Sequence, residues 1–164
     1  MKVNTIYLAG GCFWGVQKFL DQFDGIIETE VGYANGATSY PSYEDVCHGS
    51  GHAETVKVVY DTDLISLETL LEHYFRIIDP ISVNRQGNDI GVQYRTGIYY
   101  VDEEDSEAIE NYLAIVQSKY DRLLAVEVKG LEAYYPAEEY HQKYLDKNPG
   151  GYCHIPGEML RMKQ

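Results

Sequence analysis

Three cysteines stand at positions 12, 47 and 153 of a 164-residue chain, and their surroundings decide what each could do. Cys12 follows Gly10-Gly11 and opens a run in which Phe13, Trp14, Val16, Phe19, Leu20 and Phe23 fall at helical spacing. Its sulfur therefore lies at the first turn of a helix. There, unpaired backbone N–H groups and the positive end of the helix dipole favour a thiolate. Such a thiol is a candidate nucleophile. Phe13 and Trp14 beside it could wall an apolar pocket large enough for a methyl group on sulfur, or could equally be core residues. Cys153 sits in a Gly- and Pro-rich tail, and Cys47 is expected to be a small buried hydrophobe, as free cysteines commonly are.

Bulk composition narrows the setting in which these thiols work. Thirteen basic residues against twenty-six acidic ones give a net charge of -13, which repels a phosphate backbone and an anionic membrane surface. Neither nucleic acid nor a membrane is an expected partner. No apolar run reaches the roughly 20 residues that a transmembrane helix needs, so the chain reads as soluble and cytoplasmic. Three widely spaced cysteines are too few for a disulfide-stapled secreted domain. At 45% hydrophobic content the chain can bury one sizeable core, which predicts a single domain over residues 1–164.

Strand and helix signals place the remaining polar residues. Residues 3–9 read as a short buried strand, 26–33 and 54–60 as further strands, and 34–51 as a long ordered loop rich in Gly, Ser, Pro and Tyr. Ser66 is positioned to cap a helix whose Leu67, Leu70, Leu71, Tyr74, Phe75 and Ile78 share one face, ended by Asp79-Pro80. A second irregular stretch covers 81–95, followed by a strand at 97–101. An acidic start at 102–105 then opens a helix expected to bury Ala108, Ile109, Tyr112, Leu113 and Val116. A last strand is expected at 123–128, a short helix at 137–145, and a mobile tail at about 147–164. Strands and helices mix without regular alternation, which favours an α+β fold with a mixed sheet covered by helices.

Four blocks give the pattern a family. Gly11-Cys12-Phe13-Trp14-Gly15, Gly51-His52-Ala53-Glu54, Gly87-Asn88-Asp89 with Gln93-Tyr94-Arg95, and Gly150-Gly151-Tyr152-Cys153 occur in that order. Together they resemble the A-class peptide-methionine (S)-S-oxide reductases, the methionine sulfoxide reductase A family, over about residues 5–155. The resemblance implies a two-layer α+β sandwich with a ferredoxin-like core and a long irregular C-terminal tail. The implied reaction reduces methionine S-sulfoxide in oxidised proteins and in the free amino acid. No bound cofactor or metal is implied, and thioredoxin is the external reductant.

The chemistry itself needs particular groups. A thiolate attacking a sulfoxide sulfur drives electrons onto oxygen, a poor leaving group unless it receives a proton or strong hydrogen bonds. Glu54, if enclosed by aromatic rings, would be kept protonated near neutrality by desolvation and could supply that proton. By resemblance, Tyr43 and Tyr94 hydrogen-bond the sulfoxide oxygen, Asp89 orders the polar network or the substrate, and Phe13 and Trp14 help to bind it. Attack leaves a sulfenic acid on Cys12, which condenses readily with a nearby thiol. The resemblance makes Cys153 that resolving thiol, and the resulting exposed disulfide suits thiol exchange with thioredoxin.

The chain departs from the family at a few positions. Gln17 stands where many members have glutamate, about one helical turn after Cys12, and is expected to alter the electrostatics around the thiol. Val92 and Thr96 replace threonine and serine, and no cysteine follows Cys153 to relay a disulfide outward. Two rival readings compete with the reductase. One is a zinc-binding module built from Cys47, His48, His52, Cys153 and His154. The other is a noncatalytic peptide-binding module, which the intact nucleophile, acid and tyrosines argue against.

Overall fold

A computed structural model of the protein describes residues 2–162. Its frame is a six-stranded sheet in the order β7-β6-β1-β3-β2-β8. The strands are β1 (Val3–Gly10), β2 (Ile26–Ala34), β3 (Ala53–Asp61), β6 (Thr96–Tyr100), β7 (Glu127–Gly130) and β8 (Tyr134–Pro136), and a separate two-residue hairpin joins β4 (Arg85–Gln86) to β5 (Asp89–Ile90). Pairings are antiparallel except β6 with β7, which run parallel. The architecture is thus α+β, with a mostly antiparallel mixed sheet and helices packed on it.

Side-chain alternation explains why β1 is buried on both faces. Ile6 and Leu8 point to the main core, whereas Tyr7 and Ala9 point to a second cluster with Ala34, Ala53 and Tyr99. The main core takes its helical half from α1 (Phe13–Asp21) and α3 (Leu67–Phe75), through Phe13, Val16, Phe19, Leu20, Leu70, Leu71 and Tyr74. Each fully buried aliphatic or Phe side chain of this kind stabilises the fold by about 1.5–3 kcal/mol, so α1 is fixed firmly to the sheet beneath it. Ser66 caps α3 as its position predicted, its hydroxyl accepting from the Thr69 N–H at 3.1 Å.

Several expectations are corrected. The stretch 34–51 is not wholly irregular: a short helix, α2 (Tyr43–Cys47), forms there because Ser42 and Asp45 make a reciprocal capping box. The stretch 81–95 holds the β4–β5 hairpin and a 3-10 turn at Val92–Tyr94. Helix α4 (Asp105–Gln117) buries Ile109 and Val116, but Ala108 lies exposed and Tyr112 and Leu113 are half-buried. The last predicted strand begins later, at Glu127, and Leu123 is 85% exposed. Gln117 is the reason, since its side chain binds Leu124 N and the Arg122 carbonyl and holds that segment in a turn. β8 was not expected at all. The predicted helix over 137–145 is broken into a 3-10 turn at Glu139–His141 and α5 (Tyr144–Lys147), because Lys143 adopts φ +55° between them.

Past α5 the chain is irregular apart from a 3-10 turn at Met159–Arg161. It packs back on α1: Ile155 enters the main core, and Gln22 bonds both Met159 O and Met162 N at 2.8 Å.

Candidate active site

The site forms where β1 ends and α1 begins. Gly11 turns the chain at φ +88°, and Cys12 is the N-cap residue of α1. A side chain at Gly11 would be strained by that backbone and would also place a Cβ 2.8 Å from that of Gln86. Register in the sheet puts Glu54 close by. Ala9 pairs with Thr55 and Tyr33 with Glu54, so Glu54 lies on the helix-covered face just beneath the start of α1.

Glu54 is 1% exposed, and one carboxyl oxygen accepts the Phe13 N–H at 3.2 Å. The other oxygen has no hydrogen-bond partner among the described residues. Burial pushes the Glu54 pKa up to about 8; the Phe13 N–H partly offsets this, and the charge of Asp89 reinforces it. The acid is therefore held protonated at neutral pH, as enclosure predicted.

Cys12 behaves differently from its sequence reading. Burial, then the carboxyl of Glu54, push its thiol well above the ordinary range, and the Trp14 backbone N–H pulls it only partly back. The helix terminus does favour the thiolate, but desolvation outweighs it. In the resting site Cys12 is a thiol.

Around this pair the structure gathers the remaining predicted residues. Tyr43, the first residue of α2, and Tyr94, at the end of the 3-10 turn, are half-buried. Each is raised by burial first and by the charge of Glu54 second, so both keep their phenolic protons. The charge of Asp89, on β5, is felt by Cys12, Glu54, Tyr94 and Cys153 alike. Phe13 lies in the core against Tyr33 and His141. Trp14 is half-buried and stacks on Tyr144 at a centroid distance of 3.7 Å.

Two residues that spacing did not reveal organise this aromatic wall. His141 is buried and accepts the Trp14 indole N–H at 3.0 Å, and its ring lies 4.6 Å from that of Tyr43. Glu138 accepts the Tyr33 hydroxyl at 2.7 Å and the Tyr43 N–H at 2.9 Å, fixing the start of α2. Their i, i+3 relation was the only available signal, and any helix would supply it. Arg95 acts similarly from the far side, donating to the carbonyls of Gly51, Val92 and Asn35 and so joining the loops that lead to Glu54 and Tyr94.

Cys153 approaches α1 one turn past Cys12. A Cβ built on Gly15 would stand 2.5 Å from the Cys153 sulfur and 3.0 Å from the Ile155 Cδ1. Gly15 thus provides the gap in which Cys153 rests. All three cysteines are free thiols, and Cys47, expected in the core, is exposed at the end of α2. Gln17 lies buried on α1, its amide bonded to Thr29 and the Lys143 N–H, so position 17 places no charge near Cys12. Among the described residues no three His, Cys, Asp or Glu side chains converge to hold a metal ion, so the five suggested zinc ligands do not gather. No described helix is long and apolar enough to cross a membrane.

Comparison with known proteins establishes the family. The profile of the family described as peptide methionine sulfoxide reductase matches residues 4–164. The chain belongs to the peptide methionine sulfoxide reductase family. The protein named peptide methionine sulfoxide reductase MsrA of Lachnoclostridium phytofermentans is 59% identical over 153 residues, covering 93% of this chain and 92% of its own. The crystal structure of reduced Mxr1 from Saccharomyces cerevisiae superposes with a TM-score of 0.89 at 37% identity, covering 94% of this chain and 92% of its own. Mxr1 in complex with Trx2 matches with a TM-score of 0.62 at 26% identity, over 87% of this chain and 85% of that one. As a reductase of this family the protein is an oxidoreductase acting on methionine sulfoxide.

Proposed function

We propose that Cys12 is the nucleophile, Glu54 the acid and Cys153 the resolving thiol in the reduction of methionine S-sulfoxide. The observation that carries this reading is the buried Glu54 carboxyl, tied by one oxygen to the residue after Cys12 and leaving its other oxygen unpartnered. With the sulfoxide seated between Tyr43 and Tyr94, those hydroxyls and protonated Glu54 donate to its oxygen. The methyl group lies against the wall formed by Phe13 and Trp14, while Asp89 orders the surrounding network.

The proton inventory closes without an outside source. Glu54 gives its proton to the sulfoxide oxygen and receives the one that Cys12 releases on attack. Neutral Glu54 also lessens the repulsion that holds the Cys12 thiol protonated. The sulfur–oxygen bond of the substrate breaks, oxygen passes to Cys12, and methionine leaves reduced by two electrons while Cys12 becomes a sulfenic acid. Attack by Cys153 then forms a disulfide and releases the oxygen as water.

Thioredoxin is the reductant we assign to that disulfide. Mxr1 binding Trx2 supports the assignment. So does a cavity of about 240 Å³ whose lining includes Lys18, Leu145, Asp146, Pro149, Cys153 and Arg161, which offers an external thiol a path to Cys153. We read the βαββαβ succession of β1, α1, β2, β3, α3 and β6 as a ferredoxin-like core, residues 1–164 as one domain with an irregular C-terminal tail, and oxidised proteins and free methionine sulfoxide in the cytoplasm as the substrates.

The test is NADPH oxidation coupled through thioredoxin and its reductase, with a peptide bearing methionine S-sulfoxide and Cys12→Ser as control. Turnover that vanishes in the variant supports the assignment. Turnover that persists in it removes Cys12 from the reaction.

A further inference from the structure

The residue after Cys153 has no part in the chemistry above, yet its side chain is enclosed and tied to the strand that leads to Cys12. The His154 side chain is only 5% exposed. Its Nε2 lies 3.2 Å from the Gly10 carbonyl, and a carbonyl can only accept, so Nε2 carries the proton and donates. Its Nδ1 stands 3.7 Å from the Asp89 carboxylate. The ring fills the space above the turn that delivers Cys12: a Cβ on Gly11 would come within 3.1 Å of its Cε1 and Nε2, and one on Gly87 within 3.4 Å of its Cβ.

The other neighbour of Cys153 faces the same carboxylate, since burial first and then the charge of Asp89 raise the pKa of the Tyr152 hydroxyl. Both flanks of Cys153 therefore converge on the β4–β5 hairpin, and one of them also grips the last residue of β1. Gly10, the anchor, precedes Cys12 by two residues. A tail with no regular structure at this point is thereby registered against the backbone that carries the nucleophile.

We propose that His154 is a positioning residue for the resolving step, fastening the tail to the Gly10 carbonyl so that Cys153 meets the Cys12 sulfenic acid. The inference rests on the reading of Cys153 as the resolving thiol. In that step the Cys153 sulfur bonds to the Cys12 sulfur, the Cys12 sulfur–oxygen bond breaks, and hydroxide leaves with the thiol proton as water. His154 touches neither sulfur's leaving group; it fixes where the attacking sulfur stands, and misplacement by about 1 Å can slow such a step roughly 100-fold.

The experiment is a single turnover with methionine S-sulfoxide and no reductant. It reads methionine formed, Cys12 sulfenic acid trapped by dimedone, and the Cys12–Cys153 disulfide by mass spectrometry. His154→Leu keeps the bulk and loses the donor, and His154→Gln restores an N–H near the Nε2 position. The expected result is a methionine burst within about twofold of wild type for both, with disulfide formation slowed about 10- to 100-fold in His154→Leu and largely recovered in His154→Gln. Equal disulfide rates in His154→Leu and wild type overturn the proposal. So does equal slowing in both variants, or a burst that slows in parallel. If wild-type enzyme makes methionine but no Cys12–Cys153 disulfide, it is the assignment of Cys153 itself that fails.

Discussion

The two cysteines we assign to the reaction, Cys12 and Cys153, sit in opposite kinds of structure. Cys12 follows a strand paired on both sides, to β3 and to β6, and begins a helix whose apolar face is sunk in the main core. Cys153 sits in an irregular segment held by Ile155 in the core, His154 at Gly10 and the Ile155 N–H on its own sulfur at 3.3 Å. The difference follows the demands of the two steps. Oxygen transfer needs nucleophile, acid and hydroxyl donors fixed together before the substrate arrives, whereas disulfide formation needs only one sulfur brought to another.

The sharpest break in that comparison comes from the rigid side. Cys12→Ser is expected to abolish sulfoxide reduction entirely, which the coupled assay measures. Glu54→Gln comes next, with turnover reduced about 100- to 10,000-fold through loss of the proton donor. It also carries an opposite effect on stability. Burial raises the Glu54 pKa from 4.5 to about 8, so between those values the unfolded chain is ionised while the folded chain still holds its proton. Stability contributed by the neutral acid is thus complete below 4.5 and lost as pH rises toward 8. Glu54→Gln escapes that loss and is expected to exceed wild type at pH 8 by up to about 4 kcal/mol in urea melts. A variant less stable than wild type at that pH would mean that Glu54 is ionised in the fold. By the same sign, wild-type activity should decline above about pH 8 as the donor loses its proton.

On the tail side the effect is on completion rather than chemistry. Cys153→Ser is expected to release about one methionine per enzyme, leave Cys12 as a sulfenic acid, and show no sustained turnover with thioredoxin. Mass spectrometry of the quenched enzyme distinguishes this from failure of the first step. Sustained thioredoxin-driven turnover would make another thiol the resolving group.

How much of this was legible in the sequence follows the same division. The Gly10-Gly11-Cys12 junction, the strand that bears Glu54 and the Ser66 cap all rest on local signals, namely turn glycines, alternation and a capping residue, and the structure has them where those signals placed them. What was not legible depends on contacts between distant segments. The Cys12 thiol was read as favoured toward ionisation from its helix position, but its desolvation comes from burial by distant elements. The partners of Gln17 could not be read either, since its amide faces Thr29 and Lys143 from distant segments. β8 has almost no length of its own and exists by pairing with β2. His141 and His154 acquire their partners, Trp14 and Gly10, from more than 120 residues away, and no window along the chain contains both ends of such a bond.

The smallest of these effects is also the most direct probe of the boundary between the two regions. Gly15 belongs to α1, but its missing side chain matters to the tail, because a Cβ there would approach the Cys153 sulfur to 2.5 Å and Ile155 to 3.0 Å. Gly15→Ala improves helix propensity by about 1 kcal/mol, so α1 and the Cys12–Glu54 pair should be preserved or strengthened. The tail, having no ladder of its own to resist, is the part that must shift. The methionine burst is therefore expected within about twofold of wild type while disulfide formation slows roughly tenfold, a split read by quenched single turnover. An unchanged disulfide rate would show that Cys153 reaches Cys12 from a position other than the gap at Gly15. A slowed burst would show instead that the helix, and not the tail, had yielded.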